Sequence, residues 1–118
     1  MRRIGFWALI ATGLVILASC GSTPVMYNWY GYTNTTYEYV KAGDEDSNAR
    51  LLEVYQKIMD GQADSIRQTV PPGVCADYGY MLVKSGKVAE GKDLLLKEKE
   101  LYPESAAFID SIIKRIER

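Results

Sequence analysis

From residue 44 onward, apolar residues recur three and four positions apart, the period of a helix that buries one face. Leu51, Leu52, Tyr55, Ile58 and Met59 make one such stripe. Asp44 to Ser47 opens it, with Asp46 or Ser47 as the expected N-cap and the acidic run at the positive end of the helix dipole. Gly61 is the expected end. Ala63, Ile66 and Val70 extend the spacing, which predicts a further turn or two before Pro71-Pro72-Gly73, a sequence that no continuous helix crosses. A second helix is expected over about 74–85, closed by Gly86. A third, over about 88–101, carries Val88, Gly91, Leu94, Leu95 and Leu101 on its inner side and stops before Pro103. Ser105 is placed to cap a fourth, in which Phe108, Ile109, Ile112, Ile113 and Ile116 form the strongest stripe in the chain. No alternating run competes with these, so the fold class is mostly α.

The N-terminal pattern differs. Residues 1–20 place Arg2 and Arg3 before an uncharged apolar stretch and then small residues ending in Cys20, the order of a secretory signal. The stretch is short for a permanent span, which needs about 20 apolar residues. Leu17-Ala18-Ser19-Cys20 resembles a bacterial lipobox, which implies removal of residues 1–19 and lipidation of Cys20. Residues 20–26 are then a lipidated tether, and the six residues after Cys20 reach about 20 Å when extended. Gly21 follows the cysteine where an aspartate often marks inner-membrane retention, which points to the periplasmic face of the outer membrane. Residues 27–43 form an aromatic N-terminal segment with Tyr27, Trp29, Tyr30, Tyr32, Tyr37 and Tyr39. Its alternation is too brief to choose between a short helix ending near Gly43 and a strand. Residues 44–118 form the helical region.

Composition narrows the chemistry. The 118 residues hold 14 basic and 15 acidic side chains and no histidine, so general acid–base chemistry by imidazole is excluded. Loss of Arg2 and Arg3 with the signal makes the mature chain more acidic, and nucleic acid is not an expected partner. With Cys20 lipidated, Cys75 is the one remaining thiol, so no intramolecular disulfide framework can form.

The block from Pro72 to Pro103 resembles a tetratricopeptide repeat, a helix-turn-helix unit of about 34 residues. In that register Gly79 and Gly91 take the small positions of the two helices, Gly86 the turn, Leu95 the large apolar position and Pro103 the late proline. Cys75 stands where an early tryptophan is usual and Glu98 where a late alanine is usual. A wider resemblance covers most of the mature chain. The lipobox, Tyr27 to Tyr32 as YNWYGY, Pro71-Pro72-Gly73, Tyr78-Gly79-Tyr80 and the stretch Glu98 to Ser105 are similar to a family of small bacterial lipoproteins of unknown function. Genes of that family often neighbour that of a curli-secretion-channel-like lipoprotein. The resemblance implies an envelope complex and no defined reaction or ligand.

Asp44, Asp46 and Asn48 match the first ligands of a calcium loop, but Ala49 and Tyr55 replace its glycine and bidentate glutamate, leaving helix-capping charges. Cys75 has no base to generate a thiolate and reads as a packed structural cysteine. No metal or other cofactor is expected. Glu38, Asp44, Glu53 and Asp77 are carboxylates for a hydrolase, with nothing to bring two of them together, so no catalytic residue is assigned. Trp29, Tyr30 and Tyr32 either contact a partner or close the end of the helical array.

The expected function is therefore not enzymatic. It is a structural or adaptor lipoprotein of an outer-membrane or secretion-associated complex, held to the membrane by its lipid and contacting other envelope lipoproteins. The alternatives are a glycan-binding module built on the aromatic segment and a carboxylate hydrolase. The sequence leaves the oligomeric state open.

Overall fold

The computed structural model describes residues 21–118, so the expected signal segment and Cys20, the expected position of lipidation, lie outside the described residues. In chain order the elements are α1 (Tyr32–Ala42), α2 (Glu45–Asp60), α3 (Val74–Lys84), α4 (Val88–Leu101), a 3-10 turn (Pro103–Ser105) and α5 (Ala106–Ile116). The protein is a mostly α helical array.

The aromatic segment resolves into helix. Gly43 ends α1 by donating its N–H to the Tyr39 carbonyl at 2.9 Å. α1 contains no fully buried residue; only Tyr32 and Tyr39 pack against the core from it. Asp44, and not Asp46 or Ser47, caps α2: its carboxylate accepts the Ser47 N–H at 2.8 Å. Ser47 returns its hydroxyl to the Asp44 carbonyl at 2.9 Å and is fully buried. The acidic first turn expected from the sequence is present, with its cap two residues before Asp46.

Residues 61–73 contain no helix, against the extra turn or two expected there. Local side chains take up the backbone instead. Ser65 Oγ donates to the Gln62 carbonyl and accepts the Gln68 N–H, while Gln62 Nε2 donates to the Ile58 carbonyl. Such side-chain bonds compete with the helical ladder. Ser105 is a second departure, because its hydroxyl donates back to the Tyr102 carbonyl at 2.7 Å and makes no cap bond to α5.

α3 is the central helix, with a core on each side. Leu51, Val54, Tyr55 and Ile58 of α2 pack with Val70, Val74, Cys75 and Met81 on one side. Ala76 of α3, Leu95 of α4 and Ile109 of α5 form the second cluster, flanked by Ile112, Ile113 and Ile116. α3 and α4 join through the short turn at Ser85–Lys87, where Gly86 takes a left-handed φ of 89°. Leu95 and Ile109 are fully buried, whereas Val88 and Leu101, expected on the inner side of α4, are exposed.

Candidate functional site

Two arrangements bring distant residues together. The first is a clasp between the N-terminal segment and the loop after α2. The Val25 and Met26 carbonyls accept the Ile66 and Arg67 N–H groups at 3.0 and 3.3 Å. Asn28 is bonded from both ends: its N–H donates to Gln62 Oε1 at 3.0 Å and its carbonyl accepts Gln62 Nε2 at 2.8 Å. Its side-chain amide donates to the Gly61 carbonyl at 2.9 Å and to Asp64 at 2.6 Å. Tyr30 adds its hydroxyl to the same Gly61 carbonyl at 2.8 Å. A Cβ on residue 61 would fall 2.0 Å from that hydroxyl, so glycine there makes room for the ring as well as ending α2. Tyr30 itself sits at φ 48°, a left-handed conformation rare outside glycine, which this bonding holds in place.

The aromatic residues run inward from the clasp. Tyr27 meets Trp29 edge-on at 6.2 Å, Trp29 lies 5.5 Å from Tyr32, Tyr32 5.7 Å from Tyr55, and Tyr55 stacks on Tyr78 at 5.5 Å. Five rings thus connect the N-terminal segment through α1 and α2 to α3. Tyr32 is half-buried, and Trp29 and Tyr30 keep 42 % and 45 % of their surface exposed. Burial strongly raises the Tyr55 hydroxyl pKa, with Asp77 and Tyr32 adding to the shift.

The second arrangement is an open groove of about 460 Å³ between α3 and α5. Ala76, Phe108, Ile112 and Ile116 supply its apolar lining, and Asp77, Tyr80 and Arg115 its polar lining. Phe108 is 63 % exposed and Tyr80 is 50 % exposed, although both belong to helices that are otherwise docked. The apolar surroundings raise the Asp77 pKa, an effect opposed by the Tyr32 hydroxyl at 3.5 Å. α5 has the strongest apolar stripe in the sequence, yet only Ile109 of it is fully buried. The rest of that stripe faces the groove or is half covered.

The positions drawn from the repeat resemblance cluster on the α3–α4 hairpin. Gly79 and Gly91 meet where the two helices cross, and Leu95 fills the space between α3 and α5. Pro103 begins the 3-10 turn that leads into α5. Glu98, which departs from the repeat pattern, is 3 % exposed and accepts the Gly73 N–H through Oε1 at 2.7 Å. A carboxylate from the end of α4 thereby meets the N-terminus of α3, where negative charge is favoured. Its Oε2 has no hydrogen-bond partner among the described residues. Sequence reasoning passed over Glu98 as a mismatch, and the departure itself was the signal.

The carboxylates considered for hydrolysis have separate attachments. Glu38 is exposed on α1, Asp44 caps α2, Glu53 pairs with Lys57 at 2.8 Å, and Asp77 faces the α3–α5 groove. Asp46 is bonded to Arg50, so the residues of the imperfect calcium pattern serve the helix start. No group of three or more potential metal ligands occurs among the described residues. Cys75 is fully buried with its sulfur 3.7 Å from that of Met59, and burial pushes its thiol up to about 11.

The family model for a domain of unknown function, DUF4810, matches residues 26–112. The chain belongs to the DUF4810 family. The match begins at Met26 inside the clasp and ends at Ile112 in the groove, so the DUF4810 region takes in both arrangements. Searches of the curated proteins and of the solved structures found no match to the chain.

Proposed function

We propose that this DUF4810 protein is a lipid-anchored adaptor at the periplasmic face of the outer membrane, and that it binds an amphipathic helix of another envelope protein in the α3–α5 groove. The observation that carries the reading is the open groove beside α5. Its exposed Phe108 and Tyr80 side chains offer a large apolar contact, bordered by one carboxylate and one guanidinium. An amphipathic helix with an apolar stripe and charges of both signs at its edges matches that lining. Trp29, Tyr30 and Tyr32 do not line that groove.

Anchoring rests on the lipobox-like Leu17-Ala18-Ser19-Cys20. The clasp bonds Val25 and Met26 to the folded body, so only residues 21–24 remain as free tether. Four residues span about 13 Å. That reach favours partners that are themselves at the membrane surface.

The test is photocrosslinking in intact cells from probes at Phe108 and Tyr80, combined with Phe108→Asp and Cys20→Ala. Crosslinks to one envelope protein, lost in Phe108→Asp at unchanged helix content, are the expected result. Cys20→Ala should block processing and lipid attachment. Crosslinks that survive Phe108→Asp overturn the groove, and normal processing and membrane retention of Cys20→Ala overturn the anchor.

A further inference from the structure

The clasp gathers apolar residues that the sequence keeps far apart. Val25 and Met26 are 51 % and 53 % exposed, and Ile66, bonded to Val25 through its backbone, is 59 % exposed. Arg67, bonded to Met26, is exposed beside them. Each of the three keeps more than half of its surface open among the described residues, and exposed apolar residues collected at one place on a protein mark a contact.

We propose that the surface of Val25, Met26 and Ile66 rests in the headgroup layer of the bilayer, with the Arg67 guanidinium on lipid phosphates, and so fixes which end of the domain faces the membrane. The proposal deepens the anchored-adaptor reading and rests on lipidation of Cys20. The position of the surface on the chain selects a bilayer as its occupant. Between Val25 and the lipidated residue lie only residues 21–24, about 13 Å at full extension. The headgroup region of each leaflet is itself about 5–8 Å deep. A domain on so short a lead cannot hold its first ordered residues far from that layer, and apolar side chains there gain by entering it. Arginine pairs well with phosphate oxygens. The neighbouring carboxylate, Asp64, has its Oδ1 occupied by the Asn28 amide. Trp29 and Tyr30 follow within five residues of Val25 and are partly exposed, and such amphipathic rings suit an interface that is apolar below and wet above.

The arrangement also defines a far end. The α1–α2 junction and the α3–α4 turn lie together, since Gly43, Asp44, Lys84 and Ser85 line one hollow. α2 has 16 residues and separates that end from the clasp by about 24 Å.

The full chain is expressed, and the purified mature protein is first weighed by mass spectrometry to establish whether Cys20 is acylated. It is then reconstituted into vesicles of phosphatidylethanolamine and phosphatidylglycerol with brominated acyl chains. A nitrobenzoxadiazole probe is placed by Ile66→Cys or, as the far-end control, by Ser85→Cys; Cys75 is buried and escapes labelling. Quenching at position 66 at least threefold greater than at position 85 is expected. Trp29, the only tryptophan left after processing, should lose at least half of its own quenching in a Val25→Asp, Ile66→Asp variant of unchanged helix content. Equal quenching at 66 and 85 in acylated protein overturns the docking surface while leaving the anchor standing. Unquenched position 66 with crosslinks from it to another protein overturns the docking surface in favour of a protein contact. A Cys20 without acyl chains overturns both the proposal and the anchor, and the mass spectrum separates that outcome from the other two.

Discussion

Gly79 and Gly91 face each other across the α3–α4 hairpin so closely that a Cβ on Gly79 would stand 2.6 Å from the Gly91 oxygen, and one on Gly91 2.5 Å from the Gly79 oxygen. Both obstacles are backbone, which cannot swing aside as a side chain can. The contact sets how near the two helices lie, and with it the position of Leu95 in the second core.

Gly79→Leu should therefore force α3 and α4 apart. Overpacking of this kind costs about 1–3 kcal/mol. Thermal unfolding should show a clear fall in Tm, and Gly79→Ala should already lower it because the clash begins at Cβ. A Gly79→Leu protein as stable as its parent would show that the hairpin packs in another register.

Glu98→Ala should destabilise the same hairpin by a different route. It leaves the half-buried Gly73 N–H without its acceptor, and a hydrogen bond to a charged group contributes about 1.5–3 kcal/mol. Glu98→Gln keeps a side-chain oxygen at that place and should cost less. Denaturant midpoints of the two variants against the parent measure the difference, and equal losses would remove the cap from the account.

Asp44 gives a dependence on pH with a definite sign. The Ser47 backbone N–H, and then its hydroxyl, hold the Asp44 carboxyl below the ordinary carboxylate value. A folded pKa lowered in this way stabilises the fold at any pH above the unfolded value of about 3.9 and is lost as pH falls through the lower folded value. Asp44→Ala should melt earlier than the parent at pH 7, and the gap should narrow below about pH 4 as the parent's carboxyl is protonated. A gap of constant width from pH 7 to pH 3 would show that the ionised cap is not the cause.

Much of the array was legible in the sequence because its helices carry stripes and punctuation. Gly61, Gly86 and Pro103 end or separate elements as their chemistry requires, and the small residues at 79 and 91 pointed to a close crossing. α1 was not legible, since a helix with no fully buried residue writes no stripe. The loop after α2 misled for the opposite reason: Ala63, Ile66 and Val70 keep helical spacing, but Gln62 and Ser65 hold the backbone in turns. The clasp joins residues more than 30 positions apart through Asn28 and Gln62, and a pattern of local spacing carries no trace of such a pair. The α3–α5 groove became visible only once the helices were packed, because Phe108 belongs to the same stripe as the fully buried Ile109.

The clasp also determines where mechanical tension would enter the domain. A pull on the chain from its N-terminal side reaches Val25, Met26 and Asn28 before it reaches α1, and those residues pass the load across to the loop after α2. α1, the helix with no fully buried residue, is thereby kept out of the line of force until the clasp gives way. Once it does, the 11 residues of α1 can pay out before α2 is strained, so the clasp acts as a catch on a short length of slack.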